Sequence, residues 1–299
     1  MYFLKLLESI RTPLLDQLFL LFTFFGEEVL VLAIICFLYW CYNKRLAYRI
    51  CFTFFTSGLL VQALKITFRI PRPWIKDPSF NPVSKAVTTA TGYSFPSGHT
   101  QCATALYSSF SLNTRKNFYR IICFLIIFSV MLSRMYLGVH TPTDVLVSFG
   151  LTLFLSFVTN YLITRFEILD KNYKITAIFL SIVSIAITIY SLILLHGNII
   201  NAKYASDCCK ASGAGIGFSL GWYLESTYIR FNENTTYPSR QVVKFLIGIS
   251  IAVLLKVGLK AVLGASIPSD MVRYLILVLW ITVAYPYLLK RYKYKLIVS

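Results

Sequence analysis

Ile175–Leu195 reads I-T-A-I-F-L-S-I-V-S-I-A-I-T-I-Y-S-L-I-L-L, with no charged residue and no proline. A helix rises 1.5 Å per residue, so about 20 such residues cross the hydrocarbon core of a bilayer. Hydrocarbon offers no partner for backbone N–H and C=O groups, so a spanning segment must satisfy them internally, as a helix does. The run therefore predicts a transmembrane helix and an all-α membrane fold.

The rest of the chain repeats the pattern. Ile121–Leu132, Leu146–Val158, Val242–Leu255 and Tyr274–Leu289 are strong runs; Val29–Trp40, Ile50–Leu64, Gln101–Leu112 and Ala211–Ile229 are weaker. Together they predict a polytopic helical bundle of about nine transmembrane helices, near 27–42, 46–69, 97–112, 118–138, 142–164, 174–196, 211–229, 242–263 and 271–289. Composition agrees. The chain is 57% hydrophobic and only 14% charged, where a soluble globule is about a quarter charged. In residues 1–26, Leu4, Leu7, Ile10, Leu14, Leu15 and Leu18 recur at helical spacing, with Lys5, Glu8, Arg11 and Asp16 between them. That pattern predicts an amphipathic helix lying in the interface; a span through 14–25 competes with it. The expected organisation is then 1–26 interfacial helix, 27–166 chemical core and 167–299 additional transmembrane helices.

A net charge of +17, from 29 Lys+Arg against 12 Asp+Glu, would suggest nucleic acid in a soluble protein. Here the cations sit in short tracts between apolar runs, so no nucleic-acid partner is expected. Lys44, Arg45 and Arg49, then Arg115, Lys116 and Arg120, then Arg165, Lys171 and Lys174 mark alternate connections; Arg230, Arg240, Lys244 and the tail from Lys290 continue the series. The positive-inside rule makes these, and the C-terminus, cytoplasmic. The expected setting is a bacterial cytoplasmic membrane rather than the endoplasmic reticulum. Asn234-Thr235-Thr236 matches a glycosylation acceptor but falls on the cytoplasmic side.

The opposite, exoplasmic helix ends gather the chemistry. Lys65, Arg69 and Arg72 close the second span, His99 opens the third, Arg134 closes the fourth, and His140 and Asp144 open the fifth. A single Arg or Lys at a span end ordinarily snorkels to the headgroups, and Arg69 is read that way. Asp144 alone could serve only the helix dipole. Two of three histidines and several cations on one face are harder to dismiss, since a charge at bilayer depth costs about 3 kcal/mol. Arg72 and Arg134 offer planar forks for phosphate oxygens, and Lys65 adds a compact charge. Ser97 and Gly98 enter a helix N-terminus, where backbone N–H groups favour an anion. One histidine can attack phosphorus while the other protonates the departing oxygen. Asp144 stands four residues after His140, on one helix face, and so is the natural orienter of that ring. No carboxylate cluster offers a Mg²⁺ cage, so neither metal nor cofactor is expected. Glu225 stands apart in the seventh span, where packing against a polar neighbour is at least as good a reading as function. The small-residue stretch Gly213–Gly221 predicts close packing on another helix, with a substrate-lining role as the alternative.

Lys65-x₆-Arg72-Pro73, Pro96-Ser97-Gly98-His99 and Ser133-Arg134-x₅-His140-x₃-Asp144 together resemble the three-part signature of the type 2 phosphatidic acid phosphatase superfamily, over roughly residues 27–165. The resemblance implies a metal-independent phosphatase with His140 as nucleophile, Asp144 as its partner and His99 as general acid. Lys65, Arg72, Ser97, Gly98 and Arg134 would hold the phosphate, and vanadate would inhibit. The nine-span layout is similar to the glucose-6-phosphatase and sphingosine-1-phosphate phosphatase branches. The expected partners are the bilayer and a phosphorylated lipid: undecaprenyl diphosphate, phosphatidic acid, phosphatidylglycerol phosphate or a sphingoid phosphate. The alternatives are a soluble sugar phosphate as substrate, or a non-catalytic lipid-binding or transport protein.

Overall fold

The structure, a computed structural model, describes residues 1–169, 171–234 and 238–298. Thr235 and Thr236 of the glycosylation match lie outside the described residues. Every regular element among the described residues is helical. Six helices are long and apolar enough to cross a membrane: Lys44–Lys76, Asn117–Tyr136, Pro142–Arg165, Tyr173–His196, Ser239–Leu263 and Ile267–Arg291. A pair bent by 42°, Pro13–Phe24 with Glu28–Tyr42, makes seven if it counts as one span. The expected nine are thus not reached by length and composition. The helices at 98–113 and 202–224 fall short, the first with 16 residues, the second with Lys203, Asp207 and Lys210 in its first half.

The chain divides into two compact units. The first comprises Met1–Leu32 and Arg49–Tyr161. It holds α1 (Tyr2–Ser9), α2 (Pro13–Phe24), the start of α3 (Glu28–Phe37), most of α4 (Lys44–Phe68), short α5 (Pro73–Lys76) and α6 (Ser84–Val87), α7 (Gly98–Asn113), α8 (Asn117–Tyr136) and most of α9 (Pro142–Arg165). The N-terminal stretch is two helices rather than one. Thr12 caps α2 by accepting from the Leu15 N–H, and Pro13 takes the first helical position, where its missing donor is harmless but an incoming helix must end.

Helix α7 runs through the middle of this unit, with eleven of its residues buried, among them Thr100, Gln101, Thr104, Ser108 and Ser109. Being sheltered, it needs no apolar stripe. It meets its neighbours through small and polar groups: Gln101 Nε2 donates to Ser57 Oγ at 2.8 Å, and Ser108 Oγ to Ser156 Oγ at 2.6 Å. Hydroxyl bonds of this kind let helices approach closely in a membrane. Large apolar side chains instead face outward, Phe128 on α8 and Phe154 on α9 among them.

The second unit comprises Ala33–Tyr48 and Leu162–Ser299. It holds α10 (Tyr173–His196), α11 (Ala202–Leu224), α12 (Pro238–Leu263), α13 (Ile267–Leu279) and α14 (Tyr285–Val298). Helix α11 packs along α10 and α13. Its glycines make the second contact possible. A β-carbon on Gly217 would lie 2.8 Å from the Leu275 carbonyl oxygen, and one on Gly213 or Gly221 would overlap Met271 or Thr282. The small-residue stretch is a helix-packing surface. Glu225, 1% exposed, is fully engaged within this unit. It accepts from Lys44 Nζ at 2.8 Å, from the Tyr48 hydroxyl at 2.6 Å and from the Phe231 N–H at 3.1 Å.

Candidate active site

Four helix ends of the first unit converge because the sequence stops or starts a helix at each. Helix α4 ends at Phe68. Arg69 then takes a left-handed conformation, with φ 49°, and Pro71 and Pro73 hold the next turn extended. Helix α7 begins at Gly98, with Ser97 Oγ accepting from the Thr100 N–H at 3.4 Å. Helix α8 ends at Tyr136, and the chain turns through Gly138 at φ +77°. No other residue suits that turn, since a β-carbon there would also lie 2.7 Å from the Phe80 ring. Helix α9 opens on a reciprocal cap: the Thr141 N–H donates to Asp144 Oδ2 at 2.8 Å and the Asp144 N–H to Thr141 Oγ1 at 3.4 Å.

His140 lies at the centre, 1% exposed. Arg72 Nη1 is 2.9 Å from its Nε2 and donates to the Val139 carbonyl at 2.9 Å. A guanidinium can only donate, so Nε2 accepts and carries a lone pair, and the ring proton resides on Nδ1. That nitrogen faces Asp144 Oδ2 at 3.6 Å, too long for a hydrogen bond. Oδ2 is occupied by Ser94 Oγ, at 2.6 Å, and by the Thr141 N–H. Asp144 therefore shares the face the i,i+4 spacing requires, yet its nearer bonds are to the cap and to Ser94. Burial, then the charges of Arg72, Arg134 and Lys65, hold His140 well below its ordinary pKa of 6.5.

The cations are buried and aimed. Lys65, 9% exposed, donates to the Tyr93 carbonyl at 2.8 Å, and Arg72 Nε to the Gly92 carbonyl at 2.8 Å. Arg134 is 1% exposed; its Nη1 donates to Thr23 Oγ1 at 2.7 Å, while its Nε has no partner. His99 interacts electrostatically with Arg134, His140, Arg72 and Lys65, and its Nε2 is buried with no partner. The Ser97 N–H already donates to the Asp144 carbonyl at 3.1 Å, and the Ser97 carbonyl accepts from Ser148 Oγ at 2.7 Å. A β-carbon on Gly98 would meet nothing within 4 Å, so space remains beside it.

All eight residues singled out by sequence thus belong to this unit, while Arg69 is exposed and bonds only its own helix, to the Ile66 carbonyl. Sequence reasoning passed over Ser94, Ser148 and Thr23. Ser94 lies five residues before His99 and could have been found; Thr23 carries no local signal. Among the described residues, no group of three or more His, Cys, Asp or Glu side chains could hold a metal ion.

Buried cations around a neutral imidazole whose lone pair is held only by Arg72 can bind a phosphoryl group and, once its oxygens engage Arg72, let the imidazole attack it. The PAP2 superfamily model matches residues 46–168, and the model for the PAP2 superfamily phosphatase transmembrane extension matches 209–296. The chain belongs to the PAP2 superfamily. It is a multi-pass membrane phosphatase, a hydrolase of phosphoric esters. Mouse sphingosine-1-phosphate phosphatase 2 is 24% identical over 257 residues, 77% of this chain and 69% of that protein. A probable sphingosine-1-phosphate phosphatase of Dictyostelium discoideum is 30% identical over 47% of this chain, and only 36% of that protein is covered. Among solved structures, the transmembrane PAP2 type phosphatidylglycerolphosphate phosphatase of Bacillus subtilis aligns with 28% identity and a TM-score of 0.46, over 55% of this chain and 84% of that one.

Proposed function

We propose that this PAP2 phosphatase hydrolyses the phosphomonoester of a membrane lipid, a sphingoid phosphate first among the candidates, through a phosphohistidine on His140. The observation that carries the reading is the pair of buried, unpartnered nitrogens, His99 Nε2 and Arg134 Nε, in a site already lined by Lys65 and Arg72. A phosphoryl group supplies the acceptors that these groups lack, and its negative charge offsets the cations.

The lone pair of His140 Nε2 attacks phosphorus once phosphate oxygens take over Arg72. As the P–O bond to the lipid breaks, His99, which takes up a proton once the phosphate's negative charge fills the site, gives that proton to the leaving oxygen. The Nδ1 proton closes on Asp144, which stabilises the imidazolium. Water then attacks phosphorus while His99 takes its proton; the P–N bond breaks, its electrons return to His140 Nε2, and inorganic phosphate departs. Ser97 and Gly98 border the phosphate at the α7 N-terminus, where the helix dipole favours it. The donor set calls for no metal in these steps.

The lipid reading is supported by the named activities of the mouse and Dictyostelium relatives and by exposed Phe68 and Ile75 on either side of Arg72, where an apolar tail can lie. The charge pattern supports an exoplasmic site and a cytoplasmic C-terminus. That face is the periplasmic side of a bacterial cytoplasmic membrane, the setting expected from sequence, or the lumen of an endoplasmic reticulum. Ser84 is exposed and all seven cysteines are buried, so a cysteine placed at Ser84 reports sidedness over a low background. Labelling only from the cytoplasmic face would overturn the orientation. Phosphate release by purified protein from sphingosine phosphate, phosphatidic acid, phosphatidylglycerol phosphate, undecaprenyl diphosphate and glucose 6-phosphate tests the substrate. Fastest release from a lipid is expected. Preference for the sugar sinks the lipid assignment, and release from none sinks the catalytic one.

A further inference from the structure

Residues 1–26 lie outside both regions matched to the PAP2 superfamily, yet two of their side chains reach the site. Thr23, on the last turn of α2, is buried and accepts from Arg134 Nη1 at 2.7 Å. Arg11, between α1 and α2, grips the turn that leads into His140. Its Nε and Nη2 donate to the Tyr136 carbonyl at 3.1 and 2.9 Å, and its Nη1 donates to the Asn81 carbonyl. The Tyr136 hydroxyl returns a bond to Asp16 Oδ1 at 3.0 Å, and Phe19 stacks on the Tyr136 ring with centroids 3.9 Å apart. Next to Thr23, Gly26 lies so close to α7 that a β-carbon would be 2.7 Å from the His99 carbonyl.

We infer that the N-terminal helix pair is a positioning element of the active site, with Thr23 the positioning residue that sets the Arg134 guanidinium for phosphate and Arg11 the one that sets the turn before His140. This rests on the phosphatase reading above. A guanidinium on an unbranched side chain has several rotatable bonds, and its planar fork is useful only if its orientation is fixed beforehand. Arg134 has Nε without a partner, so the Thr23 hydroxyl is the side-chain acceptor that holds the plane while Nε stays available to a phosphate oxygen. The element acts through residues that touch substrate and need not touch it itself.

Thr23→Val keeps the shape and removes the acceptor; Thr23→Ser keeps the acceptor. With purified enzyme in detergent, Thr23→Val should lower kcat/KM about tenfold or more, the size expected for a lost hydrogen bond to a charged group. Competitive inhibition by inorganic phosphate should weaken by a similar factor, since phosphate uses Arg134 but no lipid contact. Thr23→Ser should stay close to wild type in both, and the melting temperature of Thr23→Val should fall by a few degrees at most, as one buried donor loses its acceptor. Wild-type kinetics in Thr23→Val would overturn the inference. So would equal losses in both variants, or a loss that disappears when rates are expressed per folded molecule, each of which marks Thr23 as packing alone. Failure of the phosphatase reading looks different: His140→Ala would then release phosphate like the wild type, and the inference would fall with it.

Discussion

The Ser94 hydroxyl donates a hydrogen bond to Asp144 Oδ2 at 2.6 Å, the same oxygen that stands 3.6 Å from His140 Nδ1. Asp144 is thus held in place before the ring needs it, and its charge is aimed at the nitrogen that becomes cationic on attack. Asp144→Asn can keep the cap and the Ser94 contact but loses the charge and leaves the tautomer unspecified. It should lower kcat by about 10²-fold or more, with little change in KM, as in other histidine–carboxylate pairs. Steady-state kinetics check this, and an unchanged kcat would remove Asp144 from the mechanism.

His140→Ala should abolish phosphate release, and rapid acid-free quenching should trap phosphate on wild-type protein but not on the variant. His99→Ala should behave differently. With no acid for the leaving group, a lipid alkyl phosphate should suffer far more than an aryl phosphate such as p-nitrophenyl phosphate, whose departing oxygen needs no proton. Equal losses on both substrates would count against His99 as the acid.

The pH dependence has a definite sign. Attack needs His140 neutral, and burial together with Arg72, Arg134 and Lys65 keeps it neutral below its ordinary pKa of 6.5. The acid limb of kcat/KM, which reports the free enzyme, should therefore fall below pH 6.5. Lys65→Met should move that limb upward, because a charge that opposed protonation is gone, although its maximum rate will be lower.

Chelation should leave the rate largely intact, because the described residues contain no cluster able to hold a metal. Assays with EDTA check this; full loss restored by Mg²⁺ would refute it.

Gly213→Ala should destabilise the second unit by about 1–3 kcal/mol, the usual cost of overpacking. The added carbon would meet the Met271 backbone carbonyl, which cannot swing aside as a side chain would. A lowered melting temperature in detergent, with the catalytic constants of the surviving folded enzyme intact, is the expected result.

Much of this was legible from residue types. The strong apolar runs mark helices that face lipid, and lipid tolerates nothing else there. α7 and α11 carry only weak apolar runs, for a physical reason: helices sheltered by other helices are free to carry Ser, Thr, Gly and Gln. The motif residues were legible because phosphate chemistry needs a narrow set of side chains at helix ends. The contact of Thr23 with Arg134 was not, because it joins residues 111 positions apart and depends on where α2 docks. The looseness of the His140–Asp144 pair was equally hidden. Spacing places two side chains on one face, but only the Thr141 cap and Ser94 reveal what else competes for the carboxylate.

Glu225 and Lys44 carry a lesson for genetic screens. Glu225 is buried and Lys44 only one-fifth exposed, and taking away one member leaves the other poorly compensated, a loss that approaches the figure for fully buried pairs, about 3–5 kcal/mol. An alanine scan scored only by activity in cells would therefore rank Glu225 beside His140. Replacing both partners at once with apolar residues of similar volume should recover much of that loss, which no substitution partner can do for a nucleophile. Epistasis, rather than the size of a single defect, separates the residues that build this enzyme from those that perform its reaction.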